Sequence, residues 1–400
     1  MANLANAGFS FIFWIFAAHF YTQTEVGQAT AAIAAVGLVS GFGVLGFNNS
    51  IIRFLPKARD KNKLINSALT VVAITALLSG IVFLLLLPHL SSSLLFIRHK
   101  AWYTVGFLVF VVSMAINTVL DNTFTAFRST QYTLFKNILV NVLEIIFVIA
   151  FLRLAGFGIF AAYSLSFFLV VLTGFGMLIR RFAYRPSFAI NRDILQRMAK
   201  FSLANYVVSY LNSLPGLALP IIITNLLGAK LNAIYYIAYS VASMLFAIPL
   251  GIGNSLFAEG SNDETTLRNN IKRAAFINAL MMIPAIILVI LLAPFILFFF
   301  GKHYSDQGVT ILRILALSGI FLAVSYPCGS ILNILHKLKS LIAVNFFGVV
   351  ALIGLVYIFI HEGHGIAGAA WGWLIGWAVY AAAYVLAVWR ALSSTSSTSS

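Results

Sequence analysis

The sequence predicts an all-α integral membrane protein with about twelve transmembrane helices, arranged as two parallel six-helix repeats around a central cavity. Three observations lead there. Of the 400 residues, 61% are hydrophobic and only 9% charged, whereas an ordinary soluble chain carries about a quarter charged residues. Apolar stretches of about 18 or more residues, each long enough to cross a bilayer, follow one another from the first residues to Arg390. Short motifs also return in the second half. Gly46-Phe47-Asn48-Asn49-Ser50-Ile51 comes back as Gly251-Ile252-Gly253-Asn254-Ser255-Leu256, Leu86-Leu87-Pro88 as Leu292-Ala293-Pro294, and Gly158-Ile159 as Gly365-Ile366.

The spans fall at approximately 3–21, 28–48, 64–88, 103–125, 133–152 and 157–180 in the first copy. In the second they fall at 199–225, 231–257, 272–300, 309–334, 341–361 and 365–390. The runs are continuously apolar, which excludes the alternation of a β-barrel. Pro215, Pro220, Pro249, Pro284 and Pro327 lie inside spans, where neighbouring helices re-satisfy the freed backbone groups. The first span is short at its start when set against the second copy, so either the start lies late or this span is marginal. Residues Met1 to Asn6 carry no positive charge ahead of the apolar run, which argues against a cleavable signal peptide.

The formal net charge of +15 reads as membrane topology, not nucleic-acid binding, because the basic residues sit in short clusters between spans. One set of alternate loops and helix ends holds nineteen Lys and Arg, including Arg53, Lys57, Arg59, Lys61, Lys63, Arg128, Lys136 and the cluster from Arg180 to Lys200. The opposite set holds six: Arg98, Lys100, Arg153, Lys230, Lys302 and Arg313. The bias places both termini in the cytoplasm of a plasma (inner) membrane protein. Six spans return the chain to its starting side, so the repeats are parallel. Residues 1–185 form the N-terminal bundle, 186–198 a basic cytoplasmic linker, 199–392 the C-terminal bundle, and 393–400 a disordered Ser/Thr tail. Doubled bundles of this kind point to a carrier.

Polar residues inside spans are few. In the fourth span Asn117, Asp121, Thr125 and Arg128 recur at helical spacing, and in the fifth Asn137, Asn141 and Glu144 answer them, with Lys136 beside that stripe. Asn205, Ser209, Asn212, Ser330, Asn333 and Asn345 are expected mainly as hydrogen-bonding glue between helices. A carboxylate at membrane depth costs roughly 2.5–3.5 kcal/mol even on a lenient scale. Asp121 and Glu144 therefore either pair with Arg128 or Lys136 or serve as the coupling site for H⁺ or Na⁺. Arg53 ends the second span. It either snorkels to the headgroups or faces the cavity, where its planar fork suits a phosphate. Its counterpart in the second copy is Ala258. Cys328 is alone and forms no internal disulfide. His361-Glu362-Gly363-His364 lacks metal-ligand spacing, and no Walker-type motif occurs. No catalytic residue, metal site or cofactor is predicted, and the chain is not expected to be an enzyme.

Ala17-Ala18-His19-Phe20-Tyr21-Thr22-Gln23-Thr24-Glu25-Val26-Gly27 resembles the first-loop pattern of the polysaccharide-biosynthesis flippases, the O-antigen and lipid-linked-oligosaccharide exporters. Gly43-Val44-Leu45-Gly46-Phe47 and Ile52-Arg53-Phe54-Leu55-Pro56 are similar to that family's second-span ending. The family belongs to the superfamily that includes the multidrug and toxin extruders, and the resemblance covers the whole chain through span count and doubled layout.

The resemblance implies export of a polyprenyl-diphosphate-linked glycan from the cytoplasmic to the outer leaflet of the lipid bilayer by alternating access, with no ATP site. A glycan polymerase and other assembly proteins are possible partners. Arg53, Arg128 and Lys136, with Asn49 and Asn254, are the candidate substrate contacts, and Tyr235, Tyr236 and Tyr239 the candidate lining of a sugar path. A cation-coupled multidrug extruder of the same fold is the alternative, and would favour an acidic cavity. A membrane glycan polymerase or ligase would want a long outer loop, and the outer loops here are short.

Overall fold

A computed structural model of the protein describes residues 2–262 and 267–396. Its helices are α1 (Ala2–Phe20), α2 (Gln23–Val44), α3 (Phe47–Phe54), α4 (Lys61–Leu90) and α5 (Phe96–His99). They continue with α6 (Ala101–Ala126), α7 (Thr130–Ala150), α8 (Gly156–Phe182), α9 (Arg192–Leu227) and α10 (Ala229–Asn262). The last four are α11 (Leu267–Phe298), α12 (Lys302–Ile334), α13 (Leu338–Phe359) and α14 (Gly365–Ser396). Among the described residues there is no strand. Ten helical stretches among the described residues are long and apolar enough to cross a membrane, the last of them α13 and α14 joined through a turn at Ile360–His364. The shorter apolar helix Gly8–Phe20 joins them. All twelve predicted spans thus fall on helices, with ends displaced by a few residues.

The displacements have local causes. α2 begins earlier than its apolar run because Thr22 and Glu25 form a capping box, the Thr22 side chain accepting from the Glu25 amide and the Glu25 carboxylate from the Thr22 amide. It ends at Val44, not 48, because Leu45 (φ 49°) and Gly46 (φ 76°) turn left-handed, a conformation that glycine adopts without penalty. The short α3 follows. The matching stretch of the second copy, Gly251 to Leu256, runs unbroken inside α10, so the sequence repeat is not a repeat of backbone at this point. α14 continues to Ser396, and the tail expected beyond it lies outside the described residues.

The chain divides into two compact units, Met1–Ala233 and Ile234–Ser400. In the first, α2 runs through the core and buries mostly Gly, Ala, Val and Ser. In lipid no hydrophobic force draws helices together, and small residues gain contact by letting backbones approach. A Cβ on Gly43 would meet the Ala76 backbone of α4. α9 packs along α2, with the Tyr206 hydroxyl donating to the Gly41 carbonyl at 2.6 Å and that of Tyr210 to the Leu38 carbonyl at 3.0 Å.

In the second unit α13 and α14 approach closely. Gly368, Gly372 and Gly376, one turn apart, face Phe359, Val356 and Leu352 with no room for a side chain. Asn345, fully buried, donates to the Tyr384 hydroxyl at 2.9 Å, and the Tyr380 hydroxyl donates to the Asn345 carbonyl at 3.0 Å. Asn345 is therefore interhelical glue, as is Ser330, whose hydroxyl donates to the Gly253 carbonyl at 2.8 Å.

Candidate functional site

The polar stripes of α6 and α7 meet across the turn between the two helices. Asp121 lies about 8 Å inside the end of α6 at ~1.5 Å per residue. Lys136 lies a similar distance along α7. Lys136 Nζ reaches Asp121 Oδ1 at 2.8 Å, and Asn117 Nδ2 donates to the other carboxylate oxygen at 3.3 Å. The lysine is completely buried. Its ammonium lies 5.6 Å from the centre of the Phe124 ring, and its stem passes Gly174 of α8, whose missing side chain leaves the space. Of the two bases considered for Asp121, Lys136 is its partner. Arg128 sits in the turn at φ 56°, exposed, and makes no ion pair among the described residues.

Glu144 is different. It lies fourteen residues into α7, or about 21 Å along the helix, roughly two-thirds of the way across a ~30 Å hydrocarbon core. It is buried, and no hydrogen bond or ion pair with a described residue reaches its carboxylate. Asn141, one turn earlier, donates to the Asn137 carbonyl at 2.7 Å, and the Tyr21 hydroxyl donates to the Val148 carbonyl one turn later at 2.8 Å.

The remaining candidates are spread out. Asn49 is half-buried and Arg53 exposed on α3, with the Arg53 guanidinium 5.9 Å from the Phe54 ring centre. Asn254 is exposed on α10. No described contact joins Asn49 or Arg128 to the Asp121–Lys136 pair. Tyr235 is buried and stacks 6.2 Å from Tyr239, which packs edge-on against Trp373 of α14 at 5.2 Å. These tyrosines belong to the interior of the second unit. The side chain of Asn205 lies outside the described residues.

One polar hub escaped the sequence reading. The connection after α8 is strapped onto α4 by Asn66, whose Nδ2 donates to the Arg185 carbonyl and the Ser187 hydroxyl, both at 2.9 Å. Its Oδ1 accepts from the Tyr184 hydroxyl and, at 3.1 Å, from the Ser187 amide. Asn62 and Ser67 accept from the Arg185 and Asn191 amides at 3.2 Å each. Burial pushes the Tyr184 hydroxyl up to about 12, so the strap keeps its donor through the physiological range. An Asn at i and i+4 beside a Ser at the start of an apolar helix was the available signal.

A family model described as polysaccharide biosynthesis protein matches residues 1–257, well over half of the chain, and a second, MatE, matches residues 206–359. The chain belongs to the polysaccharide biosynthesis protein family. A Shigella flexneri protein with the provisional name O-antigen transporter is 29% identical over 157 residues, which take in 38% of this chain and 37% of the relative. Among solved structures, the lipid II flippase MurJ in an inward closed conformation superimposes with a TM-score of 0.79 at 13% identity, covering 97% of this chain and 86% of that one. An inward-facing multidrug-resistance transporter of the MATE family gives 0.73 at 17% identity, covering 98% and 96%. At these identities the structures speak for the fold. The protein is a multi-pass membrane protein of the polysaccharide biosynthesis family.

Proposed function

We propose that this protein is a flippase that moves a polyprenyl-diphosphate-linked oligosaccharide from the cytoplasmic to the outer leaflet of the plasma (inner) membrane, with both termini cytoplasmic. The observation that carries the reading is the match to the polysaccharide biosynthesis family over residues 1–257. Its chemistry is consistent. The excess of Lys and Arg suits an anionic diphosphate, and the part-buried Asp121 is already neutralised by Lys136.

In this reading residues 1–185 and 199–392 rock against each other about the 186–198 linker. Arg53, Arg128 and Lys136, with Asn49 and Asn254, contact the substrate at different stages. Glu144, with Asp121 as the second candidate, exchanges H⁺ or Na⁺ to reset the carrier. The protein performs transport without covalent chemistry and hands its cargo to a glycan polymerase and other assembly proteins. The test is reconstitution of the full chain in liposomes with a fluorescent polyprenyl-diphosphate oligosaccharide. Loss of accessible label from one leaflet only when protein is present supports the reading, and an unchanged distribution overturns it.

The MatE match over residues 206–359 favours a second reading, a cation-coupled multidrug extruder. Efflux of a lipophilic cation from the same liposomes, without movement of the lipid-linked sugar, decides for it.

A further inference from the structure

The recess between α10 and α11 changes its chemistry in order along its length. It measures about 270 Å³ and lies within the second unit. Both helices are long and apolar enough to cross a membrane, so the ends where the chain passes from one to the other mark the membrane surface. Glu259 and Asn270 line the recess three residues in from those ends, at about 4.5 Å, and Arg273 six residues in, at about 9 Å. Ser255 follows, and Ile252 and Ile277 line the inner end ten residues in, at about 15 Å. Glu259 and Arg273 are both exposed. Although they share one recess, they form no ion pair with each other or with any other described residue.

We propose that this recess binds the headgroup of an aminophospholipid, a phosphate ester of ethanolamine, from the leaflet that surrounds it. The ammonium sits at Glu259, the phosphate at Arg273, and the start of an acyl chain against Ile252 and Ile277. The order of depths carries the assignment. From water inwards such a lipid runs ammonium, phosphate, glycerol and chains, and the recess presents a carboxylate, a guanidinium and then apolar side chains in that sequence. Opposite charges that face one cavity without closing on each other suit a ligand that carries both. The ammonium donates to the carboxylate and the guanidinium to the phosphate, each a charge-assisted hydrogen bond, and the planar Arg273 fork suits paired phosphate oxygens. A quaternary choline has no N–H to give Glu259, and an anionic glycerol headgroup is repelled by it. A diphosphate-linked cargo brings no cation either. The site is therefore one for a bilayer lipid and does not depend on the transport reading.

The test is native mass spectrometry of the full-length protein, stripped of lipid in detergent and titrated with phosphatidylethanolamine, phosphatidylcholine or phosphatidylglycerol of matched chains. One phosphatidylethanolamine should bind about tenfold more tightly than either of the others, the size of one charge-assisted contact. Glu259→Gln should erase that preference, and Arg273→Gln should weaken all three lipids. Gly251→Leu tests the shape. Gly251 lines the recess and a Cβ there meets no atom within 4 Å, so the leucine should fill the inner end and block binding while the melting temperature holds. Glycerophosphoethanolamine, which has the headgroup without chains, should not displace the lipid at equal concentration. Equal binding of the three lipids, a preference for phosphatidylglycerol, or a preference that survives Glu259→Gln would overturn the site. So would unchanged binding in Gly251→Leu. Displacement by glycerophosphoethanolamine at equal concentration would overturn it too, because the recess would then be reading a soluble zwitterion.

Discussion

Asn278 on α11 repairs the gap that Pro327 opens in α12. Proline has no amide hydrogen, so the carbonyl four residues earlier, that of Ala323, loses its helical donor. Asn278 Nδ2 donates to that carbonyl at 2.7 Å. The exchange is reciprocal, because Arg313 on α12 donates through Nε to the Ile290 carbonyl at 3.2 Å, and Ile290 lies four residues before Pro294 of α11. Each helix thus carries a proline whose orphaned carbonyl is satisfied from the other.

This relationship predicts a coupled pair of mutations. Asn278→Leu leaves the Ala323 carbonyl unsatisfied in a low-dielectric setting and should cost about 1–3 kcal/mol. Pro327→Ala returns a backbone donor to that carbonyl, so the loss from Asn278→Leu should shrink sharply in the Pro327→Ala background. Thermal melting of the four proteins in detergent, read as a double-mutant cycle, measures the coupling. Additive effects would show that Asn278 acts through packing alone.

The Asp121–Lys136 pair should behave as a buried ion pair. Asp121→Leu strands the fully buried ammonium and should destabilise by about 3–5 kcal/mol, and Lys136→Met, which strands the part-buried Asp121 carboxylate, by less. Replacing both should recover most of the loss, since an apolar pair avoids desolvating two charges. Yield and melting temperature of monodisperse protein are the readouts. A double variant as unstable as either single one would mean that the pair also organises groups around it.

Much of this was legible because the bilayer imposes it. Spans were readable from apolar length alone, since lipid leaves an unpaired backbone no choice but helix. The Asp121–Lys136 contact was readable as one of two options. Helical spacing put Arg128 on the stripe as well, but the chain leaves α6 at Ala126 and turns left-handed at Arg128. Spacing carries no information about where a helix stops. The break at Leu45–Gly46 was hidden for the same reason, because an apolar residue there looks like continued span. Asn278 and Arg313 were missed because each answers a proline on another helix, a relation without any local sequence signature.

Topology offers an independent check on orientation. Reporter fusions after Lys61, between Arg185 and Arg192, and after Lys339 should report cytoplasm, and fusions near Lys100 and Lys302 the outside. A cytoplasmic signal at Lys302 would require an odd number of crossings in one half and would remove the parallel-repeat arrangement.

Arg53 tests how the substrate is held. It is exposed on the short helix α3 that follows the Gly46 break, so its removal should cost little stability. If it grips a diphosphate, Arg53→Ala should abolish glycan export at normal protein levels, and Arg53→Lys should restore only part, because the point charge survives without the bidentate fork. Full export by Arg53→Ala would return the residue to a headgroup anchor.

Glu144 is the sharper test of coupling. Asp121 already has a cation and an amide on its carboxylate, so its charge is spoken for. Glu144 sits buried within the membrane-spanning length of α7 without a described partner, where an ionised carboxylate is costly unless a proton or cation accompanies it. A carrier that releases its cargo outside must reset, and a carboxyl that is neutral when loaded with H⁺ or Na⁺ and charged when empty provides that bias. Glu144→Gln fixes the neutral form. It should therefore keep substrate binding and near-normal stability, yet lose the dependence of glycan export on a pH or Na⁺ gradient in liposomes. Asp121→Asn should instead lose stability first. If Glu144→Gln exports with unchanged gradient dependence, the acid is a structural feature of α7 and the coupling ion binds elsewhere.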